Sequence, residues 1–350
     1  MAHLTDNFAF EGPLSPRVRE AIATALDQGW AEPKKLSQAS HRALELRTNA
    51  IEEVAGRLQI SPAKVEVTGE PHLLHLLALK GYSSEASHLY TSSVDVGKIR
   101  AIARAHQGPS TVMAVDANGL IAQVDNFAHN DVISLQVENG ETGICQELDQ
   151  WRSLAARVVI DGTRTIPRAG IVDGFAAATF DAQSWNGPTG VGFLIVNEEE
   201  GYRYPLAHIA PIRTPGSYSL PLLVGAAIAL DEYQSENSKI EYLRNLLSEN
   251  LRGLSGVTVI GAKQEPSRYL SIVVDQLSGE EVLRNLMKVG ITTDSGSACS
   301  PEDLTPSHVI AAMGFETTGH LRFTIHPGMT EGAITNLTEK LKEVLMQLRS

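Results

Sequence analysis

The chain has 350 residues, 43% hydrophobic and 20% charged, which suits one large globular domain or two joined ones with ample core. Its 29 Lys and Arg against 41 Asp and Glu give a net charge of −12, which argues against nucleic-acid binding as the main role. The two cysteines, Cys145 and Cys299, make neither a disulfide framework nor a metal site, so a reducing cytoplasm is expected. No signal peptide is read in the first residues, and the most apolar stretch, 220–230, is too short to span a bilayer.

The elements follow in order. Residues 16–29 read as a helix, with Val18, Ile22, Ala25 and Leu26 on one face, and 40–58 as a longer one ending before Ser61-Pro62. A strand at 65–68 precedes an apolar helix at 72–79. Strands at 88–91, 111–115, 132–137 and 157–160 then alternate with helices at 94–106 and 147–156. Segments 175–180 and 191–196 continue the sheet. The stretch 219–253 reads as two helices broken near residues 235–238. Beyond it, strands at 257–260 and 270–274 alternate with helices at 279–288 and 331–348, and Pro306-Ser307 opens a helix at 308–313. Strands alternating with helices imply right-handed crossovers and a mainly parallel, doubly wound α/β sheet. A large domain over 15–245 is expected, with a smaller α/β domain built from 246–350 and the N-terminal arm 1–14.

Cys299 lies in Thr293-Asp294-Ser295-Gly296-Ser297-Ala298-Cys299-Ser300-Pro301, among small polar residues in an expected exposed loop where a thiol can react. Taken alone, the surroundings leave an idle loop cysteine as an equal reading. Cys145, in Gly143-Ile144-Cys145-Gln146, reads as a small packed hydrophobe, and His72, His75 and His88 lack partners at metal-ligand spacing.

The Ser295–Cys299 phrase, Pro306-Ser307-His308 through Gly314, and Leu321-Arg322-Phe323-Thr324 together resemble the C-terminal part of NifS/IscS-like cysteine desulfurases. These are class V aminotransferases, PLP enzymes of fold type I, and Ala78-Leu79-Lys80-Gly81 and Gly187-Pro188-Thr189-Gly190-Val191-Gly192 are further family-like phrases. The resemblance covers nearly the whole chain. It implies that Cys299 is the persulfide-forming thiol and that Arg322 holds a substrate carboxylate.

The same resemblance fails where the cofactor belongs. Counting back from Gly187-Pro188, the position of the PLP lysine is Ser184 and that of the preceding histidine is Gln183. A Schiff base requires the missing amine. The phosphate turn reads Gly69-Glu70-Pro71-His72-Leu73, in which Pro71 lacks an N–H and Glu70 adds a negative charge. The stacking histidine falls at about Ser93, Asn-Asn-Glu becomes Asn139-Gly140-Glu141, and the glutamine beside the cofactor becomes Arg164. Only Asp161, matching the aspartate that pairs with the pyridinium nitrogen, is kept. Arg213 begins a stretched form of a turn that in relatives reaches the neighbouring subunit, so a homodimer is implied, and Tyr202, Tyr204 and His208 are expected at the cavity entrance.

Three readings remain open. One is a desulfurase-like protein without PLP that keeps Cys299 for sulfur handling, accepting or passing a persulfide, with a sulfur-acceptor protein or an authentic desulfurase as a partner. Another is a non-catalytic partner or scaffold. The third is an active desulfurase with PLP held non-covalently or with the lysine supplied by another chain.

Overall fold

The computed structural model describes residues 6–9, 12–27, 33, 35–122, 126–208, 218–262, 266–295 and 306–350. The expected loop of Cys299 and the turn of Arg213 lie outside the described residues. A seven-stranded sheet forms the centre, in the order β1-β7-β6-β5-β4-β2-β3. Its strands are β1 (Val65–Thr68), β2 (Leu89–Ser92), β3 (Ser110–Met113), β4 (Val132–Gln136), β5 (Arg157–Asp161), β6 (Ala177–Asp181) and β7 (Gly192–Val196). Strands β3, β2, β4, β5 and β6 run parallel, whereas β7 is antiparallel to both β6 and β1. Strands β4 and β7 are buried along their whole length, as sheet strands covered on both faces are.

Helix α3 (Leu74–Tyr82) and helix α4 (Gly97–Arg104) cover one face, packing Leu74, Leu77 and Ile99 against Val132, Val159 and Leu194. On the other face lie α1 (Pro16–Asp27), α2 (Gln38–Leu58) and α5 (Leu220–Arg252). The long helix α5 is unbroken, where two helices were expected. Ser235 Oγ donates back to Glu232 O at 2.7 Å and Asn237 Nδ2 donates to Glu241 Oε1 at 2.7 Å, so these polar side chains are satisfied within the helix. Tyr233 and Ile240 meanwhile stay on its buried face.

The expected helix at 147–156 reduces to one 3₁₀ turn, Asp149–Trp151. Trp151 is buried and Arg152 donates to Asp173 O and Gly170 O, so tertiary contacts set the backbone there. The expected helix at 94–106 is shorter, because Ser92, Val94 and Asp95 form a hydrogen-bonded turn before α4.

A second sheet, β10-β9-β8, is antiparallel, with β8 (Val257–Val259), β9 (Tyr269–Val274) and β10 (His320–Thr324). It packs with α6 (Gly279–Lys288) and α8 (Glu331–Arg349), while α7 (His308–Ala312) forms a small cluster with Val94 and Ile144. The N-terminal arm joins this sheet: Phe8 N donates to Thr292 O at 2.7 Å, and Thr324 N donates to Phe8 O at 2.8 Å.

Candidate active site

The parallel strands end flush, with Gln136 opposite Asp161 and Asp161 opposite Thr179, so their C-terminal ends present polar side chains beneath α3 and α4. Asp161 is buried. Its Oδ1 accepts from Thr163 N at 3.0 Å and Thr163 Oγ at 2.6 Å and pairs with His75 Nε2 at 3.0 Å. Burial alone would raise this carboxyl, but the His75 charge and the threonine donors outweigh it and hold the group well below the usual carboxylate range. Its Oδ2 is also buried and has no hydrogen-bond partner among the described residues. Nearby, Asp95 is pushed up to about 8, first by burial and further by the Asp161 charge, against a 2.7 Å hydrogen bond from Ser92 N. Among the described residues buried Ser93 Oγ and Gln136 Nε2 also lack hydrogen-bond partners.

Ser184 sits in the short turn Ala182–Trp185 after β6 and is 1% exposed. Its Oγ lies 2.9 Å from Thr165 O and 2.7 Å from Asp181 O, and Arg268 Nη1 donates to its carbonyl at 3.1 Å. Trp185 Nε1 anchors the turn on Ala226 O at 3.0 Å. The hydroxyl is therefore turned to the backbone. Gln183, half-buried, donates its N–H to Asp181 Oδ1 at 3.1 Å.

Arg164 and Gly140 are brought together. A Cβ at Gly140 would lie 2.7 Å from Arg164 Cγ and 2.8 Å from its Cδ, so the arginine stem fills the space an asparagine would need. Asn139 organises the adjoining turn, donating to Val94 O and Gln136 Oε1 and accepting from Glu141 N and Thr142 N.

The turn Pro71–Leu73 is a 3₁₀ turn with no side-chain cap at Glu70. His72 is exposed and contacts Lys98 of α4. Burial raises Asp181, while the charges of Arg164, His72 and Lys98 oppose that rise. Burial lowers the Lys98 ammonium, with Arg164 adding to the shift and Asp181 opposing it. Lys98 and Asp181 therefore belong to the cluster of His72 and Arg164, a grouping that sequence reasoning missed because Lys98 comes from another helix.

On the other side, β10 carries Arg322, whose Nη2 donates to Asp294 Oδ2. The same residues pair through the backbone, Arg322 N to Asp294 O at 2.7 Å and Asp294 N to Arg322 O at 3.2 Å. Among the described residues Arg322 Nε is buried without a hydrogen-bond partner. Glu141 faces this pair; burial raises it, the Ser307 hydroxyl and Arg322 oppose the rise, and Asp294 adds to it. His320, pushed down to about 3 by burial and by Arg322, bonds Ser271 Oγ at 2.8 Å and closes the back of the site.

Cys299 and Arg213 lie outside the described residues, so their placement relative to Arg322 is carried by sequence alone. Cys145 is half-buried and does not join the cluster. Tyr202 packs against α3, its hydroxyl donating to Leu77 O at 3.2 Å and its ring covering Gly81, while Tyr204 stacks edge-on to His208. Among the described residues no group of His, Cys, Asp and Glu is arranged to hold a metal.

Comparison with known proteins bears on the whole architecture. The aminotransferase class-V family model matches residues 214–337. A cysteine desulfurase IscS of Methylobacillus flagellatus is 27% identical, covering 96% of this chain and 91% of that protein. The IscS of Shewanella woodyi is 25% identical over 98% of this chain and 93% of its own. Among solved structures, a NifS-like protein superposes with a TM-score of 0.84 at 20% identity, covering 97% of this chain and 99% of the other. Another, from Rickettsia africae, reaches 0.81 at 18% identity with the same coverage. This chain therefore matches the class-V aminotransferase family over residues 214–337, is similar along nearly its whole length to IscS cysteine desulfurases, and shares the α/β fold of NifS-like proteins.

Proposed function

We propose that this protein is a cysteine desulfurase-like relative that does not hold PLP in the family's manner and keeps Cys299 as a persulfide-handling thiol. The observation that carries the reading is Ser184. At the lysine position stands a buried hydroxyl within hydrogen-bond reach of Thr165 O and Asp181 O, which offers no amine to an aldehyde. The phosphate turn has lost an N–H donor at Pro71, and Glu70 and Asp181 set carboxyl groups beside Arg164, His72 and Lys98, where they compete with a phosphate for those cations. The residues present do not suit a phosphorylated aldehyde cofactor, and no step is assigned to one. The chemistry left to the chain is sulfur exchange. The Cys299 thiolate attacks the outer sulfur of a persulfide R–S–SH, one S–S bond forms as the other breaks, and R–S⁻ leaves with the electron pair. The outer sulfur keeps its proton, and no oxidant is required.

One observation favours a second reading, a heterocycle held without a covalent bond. Asp161 Oδ2 is buried and unpaired among the described residues, a fit for a protonated ring nitrogen. Incubation with PLP, borohydride reduction and intact-mass measurement addresses both. No added mass and no visible absorption are expected; absorption without a reducible adduct supports the second reading, and a stable adduct refutes the first. Sulfur acceptance from a persulfide donor is expected to vanish in Cys299→Ser; an undiminished uptake there overturns the sulfur-handling role.

By the family resemblance the working form is a homodimer in the cytoplasm, with a sulfur-acceptor protein or an authentic desulfurase as its partner. The division into 15–245 and 1–14 with 246–350 belongs to the same proposal. No helix among the described residues is long and apolar enough to cross a membrane.

A further inference from the structure

We infer that Asp294 occupies the carboxylate position of Arg322, so that the site excludes free amino acids and its partner is a persulfide recognised without an α-carboxylate. The second half of that inference rests on the sulfur-handling reading above; the first half rests on the Arg322–Asp294 geometry and on the carboxylate role that the family resemblance gives Arg322.

Arg322 and Asp294 are 21% and 22% exposed, so water screens their pair only in part. The two residues are joined by two backbone hydrogen bonds as well as by the side chains, which fixes Asp294 against the guanidinium. Thr293 Oγ donates to Arg322 O at 2.6 Å and Ser295 N to Asp294 Oδ1 at 2.8 Å, holding both ends of the contact. An incoming carboxylate must displace a tethered competitor whose effective concentration exceeds any free ligand's. It must also approach Glu141, which faces the same guanidinium. Among the described residues Arg322 Nε is buried without a hydrogen-bond partner, and Asp294 takes Nη2. The planar fork thus keeps the side-on face that a bidentate carboxylate needs once Asp294 is gone.

The experiment titrates L-alanine, with L-alaninamide as the carboxylate-free control, into wild-type protein, Asp294→Ser, Asp294→Asn and Asp294→Ser/Arg322→Ala, followed by calorimetry. Asp294→Ser and Asp294→Asn are expected to bind L-alanine at least about tenfold tighter than wild type, the scale of one charge-assisted hydrogen bond. The amide is expected not to bind, and Arg322→Ala to abolish the gain. Wild-type affinity that neither Asp294 substitution improves overturns the inference, as does a gain that persists without Arg322. Asp294→Asn keeps the backbone pairing and side-chain shape, so it reports even if the serine variant fails to fold. Adding Cys299→Ser to each variant is expected to leave L-alanine affinity unchanged, so failure here and failure of the sulfur-handling reading are read separately. With the fold of Asp294→Ser intact, persulfide uptake by Cys299 is expected to be insensitive to L-alanine in wild type and inhibited by it in the variant; inhibition of both overturns the exclusion.

Discussion

Replacing Asp95 by asparagine tests the polar floor of the site quantitatively. The Asp95 carboxyl is completely buried and is pushed from 3.8 up to about 8. Burial dominates and the Asp161 charge reinforces it; hydrogen bonds from Ser92 N and Ser134 and the charge of Arg100 oppose it. A folded-state value above the unfolded one means that the unfolded chain ionises first as pH rises. Between about pH 4 and about pH 8 the unfolded state binds fewer protons, so this group lowers stability progressively through that window. At about 1.4 kcal/mol for each unit, the three units between 3.8 and neutrality amount to about 4 kcal/mol. Asparagine cannot ionise and its amide oxygen still accepts from Ser92 N. Asp95→Asn is therefore expected to gain about 4 kcal/mol relative to wild type on going from pH 4 to pH 7. Glu138, raised to about 7 by burial, slopes the same way but is present in both proteins and cancels. Urea unfolding at a series of pH values, followed through buried Trp151 and Trp185, measures the difference. Parallel stability curves for the two proteins would refute the reasoning, because they would mean that Asp95 does not change its proton affinity on folding.

Two further outcomes follow from packing. Phe323 is fully buried and meets Phe8 edge-on at 6.3 Å, so Phe323→Ala is expected to cost about 3–5 kcal/mol in urea unfolding. It should also speed amide exchange at Thr324, whose N–H bonds Phe8 O. Gly140→Asn drives its side chain into the Arg164 stem and is expected to cost about 1–3 kcal/mol alone, but to be partly rescued by Arg164→Ala, which removes the Cγ and Cδ atoms it meets. A double-mutant cycle showing no coupling between these two positions would mean that Arg164 does not rest on Gly140.

Much of the architecture was legible in the residues. Apolar runs such as Val132–Gln136 and Gly192–Val196 mark strands covered on both faces, and the apolar spacing in Gly279–Lys288 marks an amphipathic helix, because burial imposes its period on the sequence. The family resemblance singled out Ser184, Asp161 and Arg322 as candidate site positions, through motif spacing rather than side-chain identity. Continuity of α5 was not legible, since Ser235 and Asn237 look like breakers until their bonds to Glu232 and Glu241 are seen. Nor was β10, a short five-residue strand that takes its place only by pairing with β9.

The pairings that decide the site's chemistry belong to the tertiary structure alone. His75 reaches Asp161 from a different element, Arg164 lies across Gly140, Lys98 of α4 meets His72 across two elements, and Asp294 takes Arg322 from 28 residues away. A sequence records which groups are available and how often they recur, whereas an ion pair depends on distance in space, which chain order does not set. The chain by itself determined which chemical groups are available; only folding decided which of them came to face one another.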